Sequence, residues 1–365
     1  MKKLFRENIT TINQYEPGLP LELLRKKISF RGKFSKLASN ENPLGPSPLA
    51  LRALRNSLKE GNYYPENTCF KLREKLSENL RIPPANICVG NGSAELIYLL
   101  GLVFLNPEDT LVTSECSFMM GRVVSQIMAS KLVEVPLRGF KHDLDSILEA
   151  ITEETKIIYL DNPMNPIGTM VDKNEVSRFM SRIDEDVVVV FDEAYYEYAE
   201  GENFPQTVEY VKEGRNVIVL RTFSKLYGLA GLRIGYCIAK EEFVKCLQQV
   251  KPPFSVNRLA QEAALAALED EKHKKKSLEI NASGKKYLTE KFKEMSVFFI
   301  PSETNFLTID VKRDAKQMAE MLEKKGVIVR PLTMYQKPTF IRITIGTEKE
   351  NQRFIRAFRE IWEMG

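Results

Sequence analysis

From Ile87 to about Cys237 the chain alternates short, apolar, β-branched runs with amphipathic stretches, a pattern that predicts strands joined by helices. The expected strands are Ile87 to Val89, Thr110 to Thr113, Lys131 to Pro136, Lys156 to Asp161, Val187 to Asp192, Val217 to Arg221 and Arg233 to Ile238. Several are apolar throughout, as expected where helices cover both faces of a sheet, so an α/β fold follows. After Asn257 the pattern changes to a long charged helical stretch. Strand-like segments then follow at Phe298 to Ile300, Phe306 to Val311, Val327 to Pro331 and Phe340 to Ile345, flanked by helices over 314–325 and 348–364. That order predicts a smaller α+β domain beside the large one.

With 365 residues the chain exceeds one ordinary compact domain, and 43% hydrophobic with 28% charged residues is the composition of a globular protein. A formal charge of +4 gives no ground for a nucleic-acid or membrane surface. The basic run Lys272 to Lys276 lies among acids and reads as a solvated helix face. Five cysteines without close pairs fit reduced thiols in the cytoplasm. The two histidines, His142 and His273, are expected at the surface and supply no metal site. The longest apolar run, Leu96 to Leu105, is about half of a ~20-residue membrane span.

Four segments carry candidate chemistry. Gly90-Asn91-Gly92-Ser93-Ala94-Glu95 follows a strand and opens an apolar helix, where free N–H groups and the helix dipole favour an anion. Alone it reads more readily as a plain strand-to-helix turn, since Glu95 replaces the third glycine of a dinucleotide fingerprint. Asn162-Pro163-Met164-Asn165-Pro166-Ile167-Gly168 makes a rigid turn at a strand's carboxyl end, where open α/β sheets place ligands. Asp192 ends an apolar strand and needs a cation: a protonated pyridine nitrogen, a magnesium ion or a helix to cap would each serve. Lys225 and Arg233 sit in a Ser- and Gly-rich loop between two apolar strands, and a lysine drawn into such a site becomes a candidate for Schiff-base chemistry.

Together these segments resemble the histidinol-phosphate aminotransferase family of fold-type I pyridoxal-5'-phosphate (PLP) enzymes. The likeness runs from Tyr15-Glu16-Pro17-Gly18 and Lys36 to Pro48 through to Ile341 to Gly346. Asn165, Asp192, Tyr195, Lys225 and Arg233 stand in the family's order. The resemblance implies a large domain over 35–260 with a mainly parallel seven-stranded sheet. A small α+β domain would comprise 1–34 and 261–365. It implies that Lys225 holds PLP as an internal aldimine and shuttles the proton of the substrate Cα, and that Asp192 pairs with the pyridinium nitrogen. Asn165 and Tyr195 would bind the phenolic oxygen, and Phe118 would stack on the ring. Ser93, Ala94, Ser224 and Arg233 would hold the phosphate, joined by Tyr64 from a partner subunit, which implies a homodimer. Tyr15, Asn42, Arg330 and Arg342 would bind substrate.

The chain departs from the family pattern at Ala94, Cys116, Gly121, Met164 and Ile167, which leaves its substrate preference open. The expected reaction is ping-pong transfer from histidinol phosphate to 2-oxoglutarate. Competing readings are an aromatic aminotransferase and a PLP lyase resembling threonine-phosphate decarboxylase. A PLP-sensing transcription regulator would need an added DNA-binding domain, and only about 35 residues precede the segment that begins at Lys36. No metal, nucleic acid or membrane is expected as a partner.

Overall fold

In the runs Val188–Asp192 and Val217–Thr222 every position is buried, which requires helices on both faces of the sheet they form. The computed structural model describes residues 4–10, 12, 21–28, 30, 32–199 and 202–363. A short strand β1 (Ser35–Lys36) precedes the main sheet, whose members are β2 (Ile87–Gly90), β3 (Thr110–Ser114), β4 (Lys131–Val135), β5 (Thr155–Asp161), β6 (Val188–Asp192), β7 (Val217–Thr222) and β8 (Gly235–Ile238). Their order is β2-β8-β7-β6-β5-β3-β4, with β8 antiparallel to both neighbours and the other pairs parallel. All seven expected strands are present in this mainly parallel sheet, with ends shifted by up to two residues.

Side chains alternate between two apolar layers along each strand. Val189, Phe191, Val217 and Val219 face one cluster, while Val188, Val190, Ile218 and Leu220 face the other. The parallel strands point their carboxyl ends to one edge of the sheet. The loops that leave that edge carry Phe118, Asn165, Tyr195 and Lys225.

The second apolar core gathers Leu288 and Phe292 of the long helix Glu271–Glu294, together with strands and helices from 297 to 361. Here β9 (Phe299–Ile300), β10 (Phe306–Asp310), β12 (Arg330–Pro331) and β13 (Phe340–Thr344) form an antiparallel sheet in the order β12-β13-β10-β9. The expected single strand Val327 to Pro331 is two. Its first half, β11 (Val327–Ile328), pairs in parallel with β1, where Ser35 N–H donates to Gly326 O at 2.9 Å and Leu37 N–H to Ile328 O at 2.8 Å. Buried Val329 then turns the chain so that Arg330 and Pro331 meet β13.

An expected division at residue 260 falls inside the helix Arg258–Glu269. Its Ala260, Ala263, Ala264 and Ala267 pack into an apolar core of the main sheet, and Leu37 packs into the second core. His142, expected at the surface, is buried, because a serine and a main-chain carbonyl satisfy both ring nitrogens. Among the described residues no helix is long and apolar enough to cross a membrane.

Candidate active site

At the carboxyl edge of the sheet lies a cavity of about 250 Å3 lined by Ser93, Ala94, Phe118, Asn165, Asp192, Tyr195, Ser224, Lys225 and Arg233. These nine expected residues come from five separate loops, so the fold assembles in space what the sequence spreads over 140 positions. Its wall also includes Ser39, Glu41, Asp161 and Thr222.

One end of the cavity is built for an anion. Gly92, at φ +84°, precedes the helix Ser93–Phe104 and brings no side chain to cap its first N–H groups. A Cβ at Gly92 would come within 2.5 Å of Arg233 Nη2, and one at Gly235 within 2.6 Å of Ser93 N, so both glycines keep the cradle open. Arg233 holds a left-handed φ of 56° and donates from Nη1 to Ser224 Oγ at 3.3 Å and Ala230 O at 3.1 Å. Glu95, in place of a third glycine, folds back to accept Asn91 N–H at 2.6 Å and Ser255 Oγ–H at 3.1 Å.

At the other end, Asp192 is buried and accepts from Tyr159 Oη at 2.6 Å and Ala194 N–H at 3.2 Å. Burial pushes its carboxyl up to about 6, against the pull of Tyr159, Ala194 and the Lys225 ammonium. A cation entering the cavity would hold it ionised. Lys225 Nζ lies 3.4 Å from Ser39 O and 5.3 Å from the centre of the Tyr195 ring. Tyr195 Oη accepts from Asn40 Nδ2 at 2.8 Å, which leaves its own proton for a contact inside the cavity. Asn165 Oδ1 accepts from Arg342 Nη1 at 2.5 Å, so its amide group is left to donate. Two donors thus remain for one oxygen anion.

Other expected residues stand outside the lining. Arg342 is buried, bonded to Asn165 and to Ala38 O at 2.7 Å. Arg330 is directly opposite it across β12 and β13. Asn42 is not a wall residue: its amide donates to Leu226 O at 2.6 Å and Ser277 Oγ at 2.9 Å, and its Oδ1 accepts Leu44 N–H. That amide ties the Lys225 loop to the long helix. Tyr64 is 78% exposed and stacks on Phe254 with ring centres 4.7 Å apart, away from the cavity of its own chain. Tyr15 lies outside the described residues.

Asp161 and Tyr159 belong to the site but escaped the sequence reading. The signal was present, since Asp161 ends an apolar strand as Asp192 does and pairs with it in register. Tyr159 is two residues earlier, hence on the same face.

The model of the family described as aminotransferase class I and II matches residues 33–358. The chain is 43% identical to histidinol-phosphate aminotransferase of Moorella thermoacetica over 98% of this chain and 92% of that protein. It is 41% identical to the protein of the same name from Caldicellulosiruptor saccharolyticus, over 98% of this chain and 100% of that one. The solved histidinol-phosphate aminotransferase of Sinorhizobium meliloti, in complex with PLP, superimposes with a TM-score of 0.90 at 27% identity, covering 99% and 98% of the two chains. On a family match spanning most of its length and relatives above 40% identity, the chain belongs to the class I and II aminotransferases and has the fold-type I architecture.

Proposed function

We propose that this chain is a PLP-dependent aminotransferase that moves the amino group of histidinol phosphate to 2-oxoglutarate, yielding imidazole acetol phosphate and glutamate by a ping-pong route. Full-length similarity to two relatives of that name supports the reading. The observation that carries it is the placement of Arg330 and Arg342 directly opposite one another on two paired strands. Two guanidiniums on one face gather positive charge in fork geometry, which suits a substrate that carries a phosphate.

The cavity suits PLP. Ser93 and Ala94 N–H groups, Ser224 Oγ and Arg233 would take its phosphate, and Phe118 would offer an aromatic face to the ring. Bound PLP supplies an aldehyde that condenses with amines and a protonated ring that takes up the electron pair released at the substrate Cα. Lys225 would hold that aldehyde carbon at rest, then act as the base that takes the Cα proton and returns it one carbon away. Asp192 would keep the ring nitrogen protonated, and Asn165 Nδ2 with Tyr195 Oη would donate to the phenolic oxygen. The free thiols support a cytoplasmic setting. Exposed Tyr63, Tyr64 and Phe254 support a homodimer in which Tyr64 reaches the partner's phosphate site.

A half-reaction screen tests the reading: histidinol phosphate, then glutamate, should each bleach the visible absorbance of the holoenzyme. Arg342→Ala should weaken both half-reactions, whereas Arg330→Ala should weaken the phosphorylated donor more than glutamate. Each lost charge-assisted contact costs ~1.5–3 kcal/mol. Free turnover of phenylpyruvate with none of histidinol phosphate makes the protein an aromatic aminotransferase, and carbon dioxide release without an oxo acid makes it a lyase.

Asp192→Asn keeps the shape and removes the charge facing the ring nitrogen. We expect turnover to fall by ~2–4 kcal/mol of transition-state stabilisation with the fold retained. Near-normal turnover in this variant, read by steady-state kinetics beside circular dichroism, removes the electron-sink role.

A further inference from the structure

We propose that Asp161 is a positioning residue whose carboxyl group clamps together the two loops that carry Phe118 and Asn165. Strands β3 and β5 are neighbours, and the loops leaving their carboxyl ends supply these two cavity residues. Both loops converge on one buried carboxyl group. Asp161 Oδ2 accepts the main-chain N–H of Phe118 at 3.1 Å and that of Asn165 at 2.7 Å, and Oδ1 accepts from Ser117 Oγ in a short contact.

A second row of groups fixes the strand end behind it. A main-chain carbonyl only accepts, so His142 Nε2 carries the proton and donates to Asp161 O at 3.0 Å. His142 Nδ1 then accepts from Ser114 Oγ at 2.8 Å, a residue at the end of β3. The imidazole thus bridges the ends of β3 and β5, and burial pushes it down to about 4, so it stays neutral. The Asp161 carboxyl is pushed up to about 8 by burial, opposed by its bonds from Ser117 and Asn165.

Phe118 and Asn165 would face the cofactor from two neighbouring loops, each held at its main-chain N–H by the same acceptor. Removing the acceptor leaves two N–H groups without it in a dry setting, and both loops gain freedom where they meet the cofactor. The charge is not required for this task. An asparagine that presents its carbonyl oxygen at the Oδ2 position accepts both N–H groups equally well.

The inference rests on the PLP reading above, and its test separates the two. In wild type, borohydride reduction should attach PLP to Lys225; failure there sinks the cofactor reading alone. Hydrogen exchange at the Phe118 and Asn165 amides, measured with and without PLP, reads the clamp directly. Both amides should be protected in wild type, and fast exchange there overturns the proposal without any variant. Asp161→Ala should accelerate both and weaken PLP binding about 10–100-fold. Asp161→Asn should restore PLP affinity to within about threefold, as expected of an acceptor that needs no charge. Wild-type affinity in Asp161→Ala, or an equal loss in Asp161→Asn and Asp161→Ala, overturns the assignment. If Asp161→Ala does not fold, the wild-type exchange rates and the Asp161→Asn affinity decide it.

Discussion

Lys225→Ala should abolish transamination while the folded chain still binds PLP noncovalently. The side chain that is lost is, on the proposed reading, the covalent anchor, and among the described residues it is the only lysine on the cavity wall. Its Nζ sits between Ser39 O and the face of the Tyr195 ring, and its charge acts on Asp192 from within the same cavity. A positioned proton carrier contributes ~10²–10⁴-fold, and losing the covalent anchor adds to that. The Arg233 and Ser93 cradle is untouched by the substitution, so PLP affinity falls far less than turnover. Stopped-flow absorbance with glutamate reads the half-reaction, and equilibrium dialysis reads the binding. A variant that turns over at the wild-type rate, or a borohydride adduct on another lysine, makes the assignment wrong.

For the second substitution, Glu193→Ala, we expect a loss of stability of ~3–5 kcal/mol. Arg221 is buried against Glu193, with Nη2 to Oε2 at 2.8 Å and Nε to Oε2 at 2.9 Å. Thr207 Oγ donates to the other carboxylate oxygen, and the guanidinium lies 3.8 Å over the Tyr196 ring. Truncating the acid strands a cation away from water, which costs more than the intact pair gains. Calorimetry should show the large-domain transition lowered by roughly 5–10 °C. The double variant Glu193→Met with Arg221→Leu should be more stable than either single change. Strictly additive single effects would mean that the two residues do not act as a pair.

Much of the fold was legible because the main sheet is covered on both faces, so its strands stand out as apolar runs between polar loops. The α/β reading needed only that contrast. The segment from Val327 to Pro331 was not legible as two strands, because so short a β-branched run carries no mark of which edge each N–H will meet. The partner β1 lies almost 300 positions away. The intrachain bonds of Asn42 were not legible for a similar reason: an amide bonding three groups of its own chain looks, in one dimension, like any other polar loop residue. His142 was misplaced because its burial depends on Ser114 and the Asp161 carbonyl, which only the adjacency of β3 and β5 brings near. The convergence of Lys225 and Asp192 on one cavity was more legible, since both are polar groups set in apolar surroundings.

The pairing of β1 with β11 makes the segment that follows it a mechanical linkage. Lys36 is held by the small sheet, while six residues later Asn42 is bolted to the Lys225 loop and the long helix. Fully extended, such a span reaches at most roughly 20 Å, so it has little slack. Ser39 and Asn40, whose groups meet Lys225 and Tyr195, lie in the middle of it. Asn40 is also bonded to Thr344, at the end of β13, and to Asn305, which precedes β10. The wall residue Ser39 and its neighbour Asn40, which holds Tyr195, are therefore strung between the small sheet and the Lys225 loop, so the two cannot shift apart without pulling on the cavity wall.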